Sequence, residues 1–498
     1  MHCGEKSSDG KGAAKTSLSR RDGRLGTASL HWVRAIGMGL LCCWVLGNSV
    51  NVATGAGLVP PPETIPPPFL YETPGRVPYT LGAKCQLIVA TYDSKGYDNA
   101  AHLDLDTWSE LDGGSIEDMV IDKNGRTITA GWATCGGSYQ FLAAGIKGAG
   151  AVDRTFGGSG VSVTDFTRGT DEFAYAVAID KNGRIVIAGG MYYWDGNIKR
   201  NLLRFALARY KPDGTLDSTF AGGDGKQITN ILAHPHECIT DIAVDNLNRI
   251  VAAGWAYKDG HFRIALVRYK VNGEVDPTFG SGGTVLTDLS GAADVGAVAV
   301  GFSDGKIIVA AQAGTVGGAR RIALVFYDET NGAYQGASFK STSSPVQSFR
   351  VNDMVIDDGN IIVVGAFEDL VQGTCCFFVG KSTASGQWDP SFGKNGIVFI
   401  DFDASKREEA CAVDVYTETG NIAIGGFAEV DTDTGLQDRF AVAKLKPSGT
   451  PVTTFGNDGR LLKDMPWDTD ERVLAICAYT YEGEEGILAG GVGGSWGH

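Results

Sequence analysis

The sequence predicts an all-β fold: a seven-bladed β-propeller with four-stranded blades, whose closing blade is split between the N-terminal and C-terminal parts of the chain. Three observations predict it. A hairpin-like stretch recurs about every sixty residues, a second strand-like run accompanies each copy, and one copy is cut so that its halves lie at opposite ends of the repeated region.

The clearest copy is "AVAIDKNGRIVIAGG", residues 176 to 190. Two apolar runs, 176 to 179 and 185 to 188, flank Asp180, Lys181, Asn182 and Gly183, which is the pattern of a β-hairpin. Asn-Gly suits a tight turn that needs positive φ, and Gly189 with Gly190 is expected to end the second strand. That second strand returns as "TITAG" 127–131, "IVAAG" 250–254, "IIVAA" 307–311, "IIVVG" 361–365, "IAIGG" 422–426 and "GILAG" 486–490.

A third strand follows each hairpin except the last: "FLAAGI", "FALARY", "IALVRY", "IALVFY", "CFFVGK" and "FAVAKL". Its seventh relative, "LIVATY" at 87–92, precedes the first hairpin. After most third strands comes a turn lettered like "DPTFG" (276–280), then a further short strand. Four strands per unit and one divided unit describe a closed ring, which removes the free sheet edges an open array would leave. The N-terminal segment should supply the two outer strands of the last blade, and residues 472 to 491 its two inner ones.

Composition agrees with this architecture. The 498 residues are 43% hydrophobic, and the 70 glycines fall mostly between short Val/Ile/Ala-rich runs, as in a β protein with many turns. No long amphipathic helix is legible after residue 60. A formal charge of −15, with no Lys/Arg cluster in the repeats to offset it, excludes nucleic acid as a partner.

The first 34 residues carry Lys6, Lys11, Lys15, Arg20, Arg21, Arg24 and Arg34, and the apolar run "AIGMGLLCCWVLG" follows. Residues 1–56 thus read as an export signal, cut after Ala56, or as a signal anchor. Either places the repeats outside the cytoplasm, in a secreted, periplasmic or cell-surface protein, with membrane contact only through an uncleaved anchor. Residues 57–78, rich in proline, read as a stiff spacer, and 79–498 as the propeller.

The lettering "VAIDKNGRIVIAGG" followed by "FALARYKPDGTLDSTFAGGDG" resembles the delta-60 repeat, a tandem unit of exported proteins from myxobacteria and related bacteria. The resemblance covers about 84–491 and is weakest in the fourth full repeat, which lacks the "TFG" turn. It implies a propeller and export. It carries over no catalytic residue.

Candidate chemistry is sparse. "FFVGKSTASG" ends like a phosphate loop, but Cys375 stands where such a loop requires glycine. "HPHEC" offers His234 and His236 as metal ligands beside Glu237 and Cys238, without the third or fourth ligand that zinc needs, or else a polar connection between blades. No cofactor is evident, and a metal ion is the one the sequence leaves open. "DTDTGLQD", from Asp431, reads as a solvated acidic hairpin tip. The seven cysteines after residue 57 show no disulfide framework.

The remaining signal is positional. Just before successive inner strands stand Asp112, Asp171 with Glu172, Glu237, Asp294, Glu408 with Glu409, and Asp470 with Glu471; Arg350 breaks the series in the fifth full repeat. Just after the second strands stand Trp132, Trp255, Phe367 and Phe427, with Tyr192, Tyr193 and Trp194 near the corresponding place in another blade. These two places open on one face of a propeller. Aromatics beside carboxylates around a mouth suit a carbohydrate or another small molecule, and the loops suit a protein partner. The competing expectation is that the rings pack between blades and the acids cap turns. The sequence favours a binding, adhesion or scaffolding module over catalysis, with an extracellular hydrolase or lyase acting at the mouth as the alternative.

Overall fold

The computed structural model describes residues 86–96, 101–103, 111–147, 150–195, 200–232, 236–289, 292–314, 319–402, 407–433, 435–464 and 470–494. The export-signal and spacer readings of 1–78, and His234, fall outside the described residues. The described chain forms seven four-stranded antiparallel sheets, the blades of a ring, numbered 1 to 7 in the order of their inner strands. Blade 7 takes its inner pair from Asp470–Tyr481 and Glu484–Gly494 and its outer pair from Gln86–Tyr92 and Ala101–Leu103. The divided blade expected from the sequence is therefore present. Blade 6 reaches it through the Gly456 N–H, which donates to the Lys95 carbonyl at 2.9 Å. On its other side, Val89, Cys477 and Leu488 share a core with Ile116 and Met119 of blade 1. Among the described residues no helix is long and apolar enough to cross a membrane.

Every inner strand carries a β-bulge at one register, with Glu117, Tyr175, Thr240, Val298, Asn352, Cys411 and Leu474 as the extra residues. The bulge turns a carbonyl onto the second strand. A Cβ at Gly254 would stand 1.9 Å from the Cys238 oxygen, so the position admits only glycine without backbone movement. Gly189 holds the same place in blade 2 and serves the same need. It does not end its strand, as the sequence suggested; the strand runs on from Ile185 to Asp195. The residues past Gly190, Met191 to Asp195, include Tyr192, Tyr193 and Trp194.

Neighbouring inner strands are tied by aspartates that bridge backbone donors. Asp118, Asp241, Asp353 and Asp414 each accept one N–H from their own strand and one from the next blade, the latter from Val177, Val300, Val413 and Ala478 at 2.6–2.8 Å.

The "TFG" turn is a wedge between blades. Asp217 takes the Thr219 N–H and hydroxyl on one oxygen and Arg209 Nε on the other, at 3.0, 2.7 and 2.9 Å. The Phe220 ring lies 4.4 Å below that guanidinium and fills the space over Gly273 of blade 3, where a Cβ would come within 2.6 Å of it. Phe156 over Gly214 and Phe279 over Gly332 repeat the arrangement. On the same side of the ring, the Asp180 turn puts only Gly183 at positive φ (78°), and its frame is the aspartate itself, which accepts the Asn182 and Arg184 N–H groups at 2.9 Å.

Candidate binding face

The inner strands begin, and the second strands end, on one face of the ring, called the mouth face. Glu172 pairs with Met191, Glu237 with Ala256 and Glu408 with Ala428, so the acidic and aromatic series do share this face. The bulge register sorts the acids into two sets.

The first set lies four residues before the bulge and holds the preceding blade. Asp171 accepts the Tyr139 N–H at 3.1 Å, Asp294 the Phe262 N–H at 2.7 Å and Asp470 the Asp438 N–H at 2.9 Å. His236 and Ser348 occupy the same place and accept from Leu203 and Arg320. The requirement is thus for any acceptor, which explains why a search for acids alone found an interrupted series. Burial lowers the His236 imidazole to about 4, so it stays neutral and its Nδ1 can accept.

The second set lies one residue later and holds the incoming loop of its own blade. Glu237 accepts the Ile231 N–H at 2.8 Å and Glu408 the Phe402 N–H at 3.0 Å; Glu172 accepts the Thr170 hydroxyl at 2.5 Å. Glu172 and Glu237 are 0% exposed. Burial raises their carboxyls to about 7 and about 8 respectively.

The aromatics form an arc over blades 1 to 3. Trp132 (4% exposed) meets Tyr139 and Phe173 edge-on at 5.1 and 5.9 Å, and its indole N–H donates to Glu117 at 3.1 Å. Phe173 continues to Tyr192 at 6.1 Å. Trp255 (3% exposed) meets His236 and Phe262 at 5.4 and 5.5 Å, and Phe262 meets Tyr257 at 4.8 Å. Tyr139, Tyr192 and Tyr257 are half-buried, and Trp194, at the end of the extended blade 2 strand, is 62% exposed. The sequence placed Trp194 only near the series, yet it is the one tryptophan of this arc open to a ligand.

Blades 4 to 7 fill the same face with charge. Arg350 bonds Glu368 and, at 2.9 Å, Glu409, which also takes the Asn352 amide at 2.8 Å. Arg320 of blade 4 reaches Glu368 at 3.9 Å. Phe427, fully buried, lies between the guanidinium groups of Arg472 (4.5 Å) and Arg407 (5.2 Å). Arg472 bonds Asp438 at 2.6 Å. Phe367 is half-buried and stacks between Phe349 and Phe399, in a ladder confined to blade 5.

The Asp112 side chain lies outside the described residues. Among the described residues no group of three or more His, Cys, Asp or Glu side chains could hold a metal ion. Gly380 and Lys381 lie inside the third strand of blade 5 (Thr374–Thr383), where Lys381 donates to the Pro447 carbonyl at 3.1 Å. No phosphate loop forms there.

Residues 181–220 and 248–279 match the model of a domain of unknown function (DUF5122) described as a β-propeller. The chain is a β-propeller repeat protein. No curated protein matches it. Among solved structures it is similar to a polysaccharide lyase of the PL25 ulvan lyase family, with 11% identity, 73% of this chain and 87% of the lyase covered, and a TM-score of 0.40. A second polysaccharide lyase gives 11%, 75%, 89% and 0.41, and an α-L-arabinofuranosidase from Clostridium thermocellum gives 12%, 57%, 94% and 0.30.

Proposed function

We propose that this protein is an exported propeller of the delta-60 repeat kind that binds a carbohydrate or carbohydrate-like ligand on the mouth face over blades 1 to 3, at or outside the cell surface. One observation carries the reading: Trp194 stands 62% exposed beside the half-buried Tyr192, on a strand longer than its counterparts in blades 1 and 3. An exposed indole on a paired strand, Trp194 opposite Asn201, offers a stacking platform for a sugar ring. Trp132 and Trp255 act behind it by fixing the arc, through edge-on packing rather than ligand contact.

Binding is favoured over hydrolase or lyase chemistry on this face. Among the described residues at the start of the inner strands, the carboxyls raised to near neutral pH, Glu172 and Glu237, are enclosed and engaged with their own loops, out of a substrate's reach. A glycan binding screen of the purified protein, run beside Trp194→Ala, tests the reading. The variant should fold normally and lose binding by about tenfold or more, the worth of a stacked ring. A glycan bound equally well by both would move the site elsewhere.

A further inference from the structure

Comparison of sister blades isolates one guanidinium. The third strands of blades 2, 3, 4 and 6 carry an arginine at the same register: Arg204 opposite Met191, Arg263 opposite Ala256, Arg321 opposite Ala313 and Arg439 opposite Ala428. The outer strands end at Thr229, Thr287 and Lys463, which pair with Phe205, Ile264 and Phe440. The next residue of each chain therefore comes level with the arginine. It is Asp288 in blade 3, which takes Arg263 Nε on both oxygens at 2.8 Å, and Asp464 in blade 6, 3.4 Å from Arg439 Nε. In blade 4, whose outer strand ends at Lys340 opposite Ile322, it is Ser341, and Arg321 there stacks on the Phe339 ring at 4.0 Å; in blade 2 it is Asn230.

The missing carboxylate is not replaced. Among the described residues Arg204 has no hydrogen-bond or ion-pair partner, and its Nε is buried unsatisfied. The guanidinium lies 3.2 Å from the centroid of the Tyr193 ring, whose hydroxyl is also buried unsatisfied. Glu237 lies within the field of Arg204, but its carboxyl is turned to its own loop, where it accepts the Ile231 N–H at 2.8 Å. It forms no ion pair with the guanidinium. Asn230 is exposed and adds an amide donor at the place where the sister blades present an acceptor. Buried donors without partners are rare in folded proteins, and blade 2 holds two, on Arg204 and on the Tyr193 ring stacked with it.

We propose that the partly exposed guanidinium of Arg204, held on the Tyr193 ring, binds together with Asn230 the oxyanion of an acidic saccharide, a carboxylate or a sulfate ester, which takes the place of the aspartate present in blades 3 and 6. The oxyanion site stands on the sister-blade comparison; its attachment to a saccharide rests on the function proposed above. In a chain of net charge −15 such a ligand requires a local uncompensated cation, and Arg204 provides one.

Calorimetric titration of the purified protein with a uronic-acid oligosaccharide, a sulfated oligosaccharide and a neutral one tests the proposal. At least one acidic ligand should bind more tightly than the neutral one, weakening with salt, and the stronger of the two distinguishes carboxylate from sulfate. Asn230→Asp rebuilds the sister ion pair without removing packing, so it should leave thermal stability intact and weaken the acidic ligand about tenfold or more, with the neutral ligand unchanged. Arg204→Gln should do the same. Equal binding of acidic and neutral ligands, unaffected by Asn230→Asp, overturns the oxyanion site and leaves the rim reading standing. If no oligosaccharide binds, but sulfate or glucuronate alone shifts the Arg204 Nε–H resonance and Asn230→Asp abolishes the shift, the oxyanion site stands and the saccharide reading falls.

Discussion

Blades 1 to 3 and blades 4 to 7 present the mouth face on the same bulged strands, yet they fill it differently. Two residues before the bulge stand Phe173 and Cys238 in blades 2 and 3, and Arg350, Glu409 and Arg472 in blades 5, 6 and 7. The charged side is engaged with itself: Arg350 spans Glu368 and Glu409, and Arg472 spans Asp438 and the face of Phe427. The aromatic side packs its rings in depth and leaves spare capacity at the surface, in Trp194 and in the guanidinium of Arg204. Conspicuous charge is thus a poor guide to a site here. What marks the proposed binding half is a group that lacks the carboxylate its counterparts in blades 3 and 6 hold.

The largest effect should come from breaking either half at depth. Arg350→Ala leaves Glu409, whose side chain is 1% exposed, without its cation, and should cost about 3–5 kcal/mol in chemical denaturation. Trp132→Ala should cost a similar amount, about 3–5 kcal/mol, by removing a buried indole. If Arg350→Ala were neutral to stability and instead abolished ligand binding, the division between the halves would be reversed.

Next in size is a pH effect confined to the aromatic half. Burial raises the Glu237 carboxyl from 4.5 to about 8, so this group lets stability fall as pH rises through that window, by at most about 1.4 kcal/mol per pH unit. Glu237→Gln keeps the acceptor for the Ile231 N–H and removes the titration. The variant should match the wild type near pH 4, gain on it progressively up to about pH 8, and hold a constant advantage beyond. A difference independent of pH would show that the carboxyl is not held neutral in the fold.

A smaller loss, about 1–3 kcal/mol, is expected for Gly254→Ala, whose new methyl meets the Cys238 carbonyl. Blade 4 carries Ala311 at this register, so the same methyl is tolerated where the neighbouring strand has adjusted. Melting temperature resolves the two cases, and an unchanged value would mean that the bulge does not select the glycine.

The ring, the split blade and the four-strand unit were legible because each repeat restates the same turn and strand signals, so chance matches average out. What each letter does was less legible. Gly189 read as a strand terminator, since a linear reading does not show the carbonyl that the facing bulge pushes against it. The acid series merged two registers one residue apart, because Asp171, His236 and Ser348 share a role through their acceptor atoms and not through charge. Arg204 was missed for a different reason. Its exceptional state depends on Asn230, 26 residues away in the sequence and level with it only once the outer strand pairs. Aligning the repeats column by column, Arg204 with Arg263 and Asn230 with Asp288, is the signal that could have found it.

Hydrogen–deuterium exchange of the protein with and without a saturating oligosaccharide tests the central claim most directly. Exchange should slow in the blade 2 and 3 rim, residues 191–194, 201–205 and 255–262, with residues 347–351, 408–411 and 470–474 of the charged half unchanged. Slowed exchange confined to the charged half, with the blade 2 hairpin unaffected, would contradict it.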